Sequence, residues 1–370
     1  MNILIQLSHP AQYHSFKNVA ENMIANGHHV LFVIKSKDIL EELLQKAKML
    51  YVNVNNHAHR GNKIGVLWDL VVREWNIIRL CRRYKIDILT GSTPEVAHVG
   101  WLMRKNRVNI GEDDATIVPA FCMIAGPFIQ SILSPNSCNN GEMESKSIHY
   151  PGFQKLAYLH PKRFSPDSKI VEQYKINPNK PYFLIRFAKL NAHHDTGVSG
   201  ISTEIAQHLI DMLRPHGHIY ITSERELEPQ FEQYRLHINP LDIHHVMAFA
   251  TLYIGDSQSM ANEAAMLGVP SLRFNDFVGA KKIGVMEELE HVYGLTYGIS
   301  SHEPERLYAK VDELLAMPNL REEFQARRQK MLADKIDVTA FFTWFIENYP
   351  KSRDEVKSKA EDNDFWVQFK

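Results

Sequence analysis

Short apolar runs alternate along the chain with stretches in which apolar residues recur every three or four positions, the pattern of strands joined by amphipathic helices. Residues 2–7 predict a buried strand and Ser8 to Tyr13 a turn. Phe16, Val19, Ala20, Met23 and Ile24 then share one helical face that closes at Gly27. Val30 to Ile34 is a second strand, so the chain opens on a βαβ unit. A helix around 38–48, a strand at 50–54, a polar loop at 55–63 and a long helix marked by Leu67, Leu70, Val71, Ile78 and Cys81 follow. Asp87 to Thr90 predicts a strand that ends at Gly91-Ser92-Thr93-Pro94-Glu95, with a helix from there to about 105. Asn109-Ile110-Gly111 predicts another strand, ending in Glu112-Asp113-Asp114. Residues 134–145 are rich in turn formers and predict a surface loop. The pattern restarts at Tyr182–Phe187, with a helix around 201–214, a strand from His218 to Thr222 and a short helix from Asp242 to Ala250. After 303 come three helices, about 303–316, 319–333 and 337–348. A charged tail from Lys351 is expected to fray unless Phe365-Trp366 anchors it.

These elements predict an α/β fold of two Rossmann-like, doubly wound domains. The expected boundaries are 1–150, a connection at 151–181, a second domain at 182–320, helices at 321–350 packing back on the body, and a tail at 351–370. A length of 370 residues suits two domains. With 44% apolar and 23% charged residues the chain is globular, and a net charge of −1 gives no footprint for nucleic acid as the main partner. Three cysteines, Cys81, Cys122 and Cys138, lack metal or redox spacing and suit a reducing cytoplasm. The chain enters its first strand pattern at once, so no signal peptide is expected. Residues 115–135 carry no charge, but Pro119, Gly126, Pro127 and Gln130 interrupt them. They are read as buried strand and loop rather than a membrane span, with an apolar face touching a membrane or a lipid-linked substrate as the alternative.

The chemistry concentrates after Thr251-Leu252-Tyr253-Ile254, an apolar strand leading into Gly255-Asp256-Ser257-Gln258-Ser259 and a helix that Gly268-Val269-Pro270 stops. The first N–H groups of a helix lack intrahelical acceptors and carry the positive end of its dipole, which suits a phosphate. Ser257 and Ser259 add hydroxyl donors. Glu263, one turn in, sits one residue too far to complete a capping box with Ser259, and its carboxylate suits the two hydroxyls of a ribose. A plain helix start with one solvated glutamate is the competing reading. Arg186 and His193/His194 lie at the exit of the second half's first strand, where an arginine can clamp a diphosphate. In the first half, His9 and His14, Ser92 and Thr93, and Glu112 with Asp113 lie at strand ends that meet in one crevice of an open α/β sheet. The histidines or the acids are candidates for moving a proton. Structural roles compete at each: His9 capping its turn, Arg186 in an ion pair, the acids in a solvated turn. No ligand spacing calls for a metal.

Two α/β halves with an acidic residue in the second half's phosphate turn resemble the GT-B glycosyltransferase superfamily. The central stretch is similar to the turn of UDP-N-acetylglucosamine 2-epimerases, Asp-Ser-Gly-Gly-x-Gln-Glu-Glu-Ala. Asp256, Ser257, Glu263 and Ala264 match it, while Gln258 and Ser259 replace its glycines and hold the backbone further from a diphosphate. A bacterial and archaeal branch of the superfamily resembles the chain more closely, in Ser8-His9-Pro10-Ala11, Tyr150-Pro151-Gly152, Tyr158-Leu159-His160-Pro161, Arg186-Phe187, Ala192-His193-His194-Asp195 and Gly255 to Pro270. The resemblance implies two domains facing each other across a cleft, with the nucleotide in the second. Asp256, Ser257, Gln258 and Ser259 would lie at the phosphate turn, Glu263 at ribose, Arg186 at diphosphate and the base near Ile243-His244. It implies a glycosyltransferase moving a sugar from a nucleotide-diphosphate donor, UDP-linked, to a glycan or lipid-linked acceptor in surface polysaccharide or glycoconjugate assembly, without an essential metal or other cofactor. A sugar-nucleotide 2-epimerase and a non-catalytic nucleotide-sugar-binding protein are the alternatives.

Overall fold

The computed structural model describes residues 1–35, 38–54, 63–188, 200–279 and 282–370. His193 and His194 lie outside the described residues. The chain forms two compact units, Met1–Arg163 with Lys335–Lys370, and Phe164–Asp334.

The first unit holds seven parallel strands: Asn2–Leu7 (β1), His29–Ile34 (β2), Tyr51–Asn53 (β3), Ile88–Gly91 (β4), Asn106–Ile110 (β5), Ser131–Pro135 (β6) and Ser147–Tyr150 (β7). Their order is β3-β2-β1-β4-β5-β6-β7, so the winding reverses between β1 and β4. Strands covered on both faces read as continuous apolar runs, and Ile3, Leu4 and Ile5 are fully buried. β6 falls in the uncharged stretch 115–135 that reads as buried strand and loop, with its last two residues inside the predicted surface loop, and β7 follows that loop where the sequence predicts no strand. Their serines hide the strand character, and they are buried because side chains satisfy them. The Ser131 and Tyr349 hydroxyls lie 2.9 Å apart, and Asn140 Nδ2 donates to Ser134 Oγ and Ser147 Oγ at 2.9 Å each.

The C-terminal segment completes this unit. Helix Val338–Glu347 packs on helix Pro10–Ala25, and Thr339 Oγ1 donates to Ala157 O at 2.6 Å. The tail does not fray. It forms helices Lys351–Lys359 and Asn363–Val367, with Phe365 and Trp366 buried. Phe341 meets the rings of Trp366 and Phe369 at 5.3 and 5.4 Å, a cluster whose buried area outweighs the charge of the segment around it.

The second unit holds five parallel strands: Tyr182–Phe187 (β8), His218–Ser223 (β9), Leu252–Gly255 (β10), Ser271–Phe274 (β11) and Thr296–Ile299 (β12), in the order β12-β11-β10-β8-β9. The winding reverses between β8 and β10. Helix Gln258–Met266 joins β10 to β11 and ends as the sequence predicts, with Gly268 at φ +69°. Arg328 Nε donates to Met266 O at 2.7 Å and Gln325 Nε2 to Leu267 O at 2.9 Å, so helix Leu320–Asp334 satisfies the carbonyls at that end. Among the described residues no helix is long and apolar enough to cross a membrane.

Candidate functional site

In the second unit β10 lies beside β8 with Gly255 opposite Arg186, so both residues stand at the carboxyl edge where the winding reverses. Open α/β sheets bind ligands at this place. A side chain at 255 would meet the Tyr253 hydroxyl at 2.5 Å and Arg186 Cβ at 2.9 Å, which is why the position takes glycine. Ser257 caps helix Gln258–Met266, its Oγ accepting from Met260 N at 3.4 Å. Ser259 is exposed on the first turn and Gln258 half-buried.

Asp256 does not face solvent. It is 2% exposed, and its carboxylate accepts from Ala188 N at 2.6 Å. Burial pushes its pKa up to about 6, against the pull of that hydrogen bond, of Arg225 and of a further bond from the Ile201 amide. It ties the end of β8 and residue 201 to the turn that follows β10, while Asn275 Nδ2 donates to its carbonyl at 3.0 Å.

Arg186 donates to the Glu224 carboxylate, which is half in solvent, and its Nε is buried with no acceptor among the described residues. Glu263 lies on the second turn of the helix, 7% exposed, with Oε1 3.3 Å from His244 Nε2. The residue expected at ribose and the one expected near the base are thus in direct contact. Ile243 stands half-buried at the start of the helix that carries His244.

Two arginines join this site that the sequence reading did not single out. Arg225 stacks on Phe187, its guanidinium carbon 4.7 Å from the ring centroid, and donates to Ile201 O at 2.7 Å. Arg273, on β11 and 4% exposed, donates to Gln258 Oε1 at 3.3 Å and lies 3.6 Å from Glu290. Burial lowers its pKa against the pull of Glu290 and Glu287. A charged residue inside the apolar run Ser271-Leu272-Arg273-Phe274 was the available signal.

In the first unit His9 caps helix Pro10–Ala25, Nδ1 accepting from Ala11 N at 3.2 Å. A neutral ring that accepts at Nδ1 carries its proton on Nε2, so in this arrangement it offers a donor rather than a base. His14 packs against Tyr13 and Tyr158 at 5.5 and 5.4 Å between centroids. Thr93 is the N-cap residue of helix Pro94–Leu102 and is buried, while Ser92 is half-buried. Glu112 follows β5 and pairs with Lys155, leaving Oε2 buried without a donor among the described residues. Asp113 is exposed, and Asp114 accepts from Asn139 N at 2.7 Å. The sequence reading passed over Glu95, which is fully buried. Arg73 Nε lies 2.8 Å and Lys35 Nζ 3.7 Å from its Oε1. Burial pushes its pKa up, but these two cations outweigh that and hold it below the usual carboxylate value.

A cavity of about 590 Å³ beside Lys180, Arg214, His216 and Tyr220 lies at the opposite, entering edge of β8 and β9 and contributes nothing to this corner.

No protein-family model matches the chain, and no curated protein matches it by sequence. Solved structures do match. The UDP-GlcNAc 2-epimerase of Neisseria meningitidis bound to UDP-GlcNAc aligns with a TM-score of 0.64 at 13% identity, over 88% of this chain and 94% of that one. Staphylococcus aureus MnaA in complex with UDP aligns at 0.66 and 10% identity, over 96% and 97%. Acinetobacter baumannii MurG aligns at 0.61 and 11%, over 94% and 99%. By its two Rossmann-like domains the chain has the fold shared by GT-B glycosyltransferases and UDP-GlcNAc 2-epimerases.

Proposed function

We propose that this protein is a GT-B type glycosyltransferase that moves a sugar from a UDP-linked donor to an acceptor hydroxyl. The observation that carries the proposal is the pairing of Arg186, with its buried unsatisfied Nε, and the helix start at Ser257 on one carboxyl edge of the second unit. Both offer donors to a diphosphate, and two of the matched structures hold UDP-GlcNAc and UDP.

As the bond from the sugar's anomeric carbon to the diphosphate oxygen breaks, negative charge grows on that oxygen. Arg186 and the helix N–H groups stabilise it, without an essential metal. Glu263 and His244 hold the ribose end. The acceptor oxygen bonds to the anomeric carbon and gives up its proton to a base of the first unit. Among the candidate bases we assign this role to Glu112, which has one carboxylate oxygen held by Lys155 and the other without a donor among the described residues. His9 serves as a donor.

Gln258 and Ser259, in place of the epimerase glycines, favour transfer over epimerisation. The second reading, a UDP-GlcNAc 2-epimerase-like isomerase, draws support from two acids at the strand ends of the first unit, the buried Glu95 and the half-buried Glu112. Incubation with UDP-sugars separates the two. UDP release that depends on an acceptor supports transfer. Uptake of solvent deuterium at C2 of the sugar without an acceptor supports epimerisation and overturns transfer.

A further inference from the structure

The surface of the first unit carries an apolar face that the proposed reaction does not use. Helix Lys63–Arg83 packs beside helix Pro94–Leu102, and that helix packs beside Pro119–Ala125. His98 fastens the three together, with Nδ1 2.5 Å from Glu74 Oε1 and Nε2 2.9 Å from Ile124 O. Trp68, Val72 and Trp75 recur at i, i+4 and i+7, so they share one stripe of the first helix. Trp68 is 58% exposed and Trp75 59% exposed. Trp101 and Leu102 on the second helix and Met123 on the third extend the face, with Met123 75% exposed. A tryptophan is rarely left in water to this degree, and three on adjacent helices mark a surface that meets something.

The charge beside this face says what it meets. The stripe continues along the same helix to Arg79 and Arg82, both exposed. Each helix runs against the strands it joins, so the first two end at the edge where β4 and β5 begin. There a shallow cavity of about 610 Å³ is lined by Trp101, Leu102, Arg104, Lys105 and Arg107. Arg107 Nε and Nη1 are held by the carbonyls of Phe128 and Lys105, and Lys146 Nζ by those of Gly126 and Pro127. Among the described residues none of Arg104, Lys105, Arg107 and Lys146 is paired with a carboxylate, although the whole chain has a net charge of −1.

We infer that this face docks on an anionic phospholipid surface, the tryptophans and Met123 entering the headgroup boundary while the arginines and lysines hold the phosphates. Aromatic side chains prefer that boundary, and cations flanking an apolar face bind acidic lipid. A second copy of the chain would bring the same cations against one another or against apolar surface, and nucleic acid would leave the apolar stripe in water.

The experiment is co-sedimentation of the full chain with phosphatidylcholine vesicles, with and without phosphatidylglycerol, followed also by tryptophan emission. Sedimentation and a blue shift are expected only with phosphatidylglycerol. A cation near an acidic leaflet is worth about 1 kcal/mol, a factor of about five, so Arg104→Glu with Lys105→Glu weakens binding by about 25-fold or more. Trp68→Ser with Trp75→Ser reduces the blue shift to what Trp101 alone supplies. These positions are exposed, and unchanged thermal unfolding shows that the variants fold. Absence of sedimentation, equal binding to both vesicle types, or full binding by the charge-reversed variant overturns the inference. So does a wild-type oligomer that the tryptophan substitutions split while vesicles bind neither form, which assigns the face to a second copy.

Discussion

Arg186→Met removes one guanidinium from the proposed diphosphate site and keeps most of the apolar stem. Its loss of affinity can be worked from the structure. A hydrogen bond to a charged group contributes about 1.5–3 kcal/mol, so UDP should bind about 10- to 150-fold more weakly. The same substitution frees Glu224, but that carboxylate is 52% exposed and solvates, so the cost to folding stays within about 1 kcal/mol. Isothermal titration with UDP and with uridine separates the effects, because uridine has no phosphate for the arginine to hold. The expected result is a large loss for UDP, little change for uridine and a nearly unchanged urea midpoint. Glu224→Gln should leave UDP affinity equal or higher, since it releases the guanidinium from its competitor. Equal losses for UDP and uridine, or none for either, would refute the assignment of Arg186 to the diphosphate.

Glu112→Gln should lower turnover about 10²- to 10⁴-fold with UDP affinity unchanged, measured by acceptor-dependent UDP release against titration. Asp256 has a folded pKa of about 6, above its unfolded value of 3.8, so the folded state holds that proton more tightly. Its contribution is therefore fully present below pH 4 and lost as pH rises through 6. Relative to Asp256→Asn, the parent should lose about 3 kcal/mol over that window in urea unfolding at stepped pH. Glu263→Gln should weaken UDP more than 2′-deoxy-UDP, narrowing a preference read by competition. Phe341→Ala, at a fully buried position, should cost about 3–5 kcal/mol in the same urea assay.

The doubly wound sheets were legible because buried parallel strands announce themselves as apolar runs, as in Ile3-Leu4-Ile5 and Tyr253-Ile254. β7 and the end of β6 were not, because Ser134 and Ser147 are turn formers by composition and are held in their strands by side-chain bonds from Asn140. The charge of the tail pointed to fraying, but the named alternative holds: Phe365 and Trp366 are buried and anchor it, with Trp366 and Phe369 in contact with Phe341, distant in sequence. At the candidate site, local spacing gave the helix start at Ser257 and the strand exit at Arg186. It could not give their adjacency, which depends on β8 pairing with β10, nor the contact of His244 with Glu263. Arg273 and Glu95 escaped because a buried charge is recognised by its partners, Glu290 in one case and Arg73 with Lys35 in the other, and those partners come from other elements.

The most direct test is a crystal structure of the protein grown with UDP. The account predicts the diphosphate at the first turn of helix Gln258–Met266, within hydrogen-bond distance of the Arg186 guanidinium, and the ribose hydroxyls on Glu263. UDP bound elsewhere, with Arg186 still held by Glu224 and the helix start bare, would contradict it.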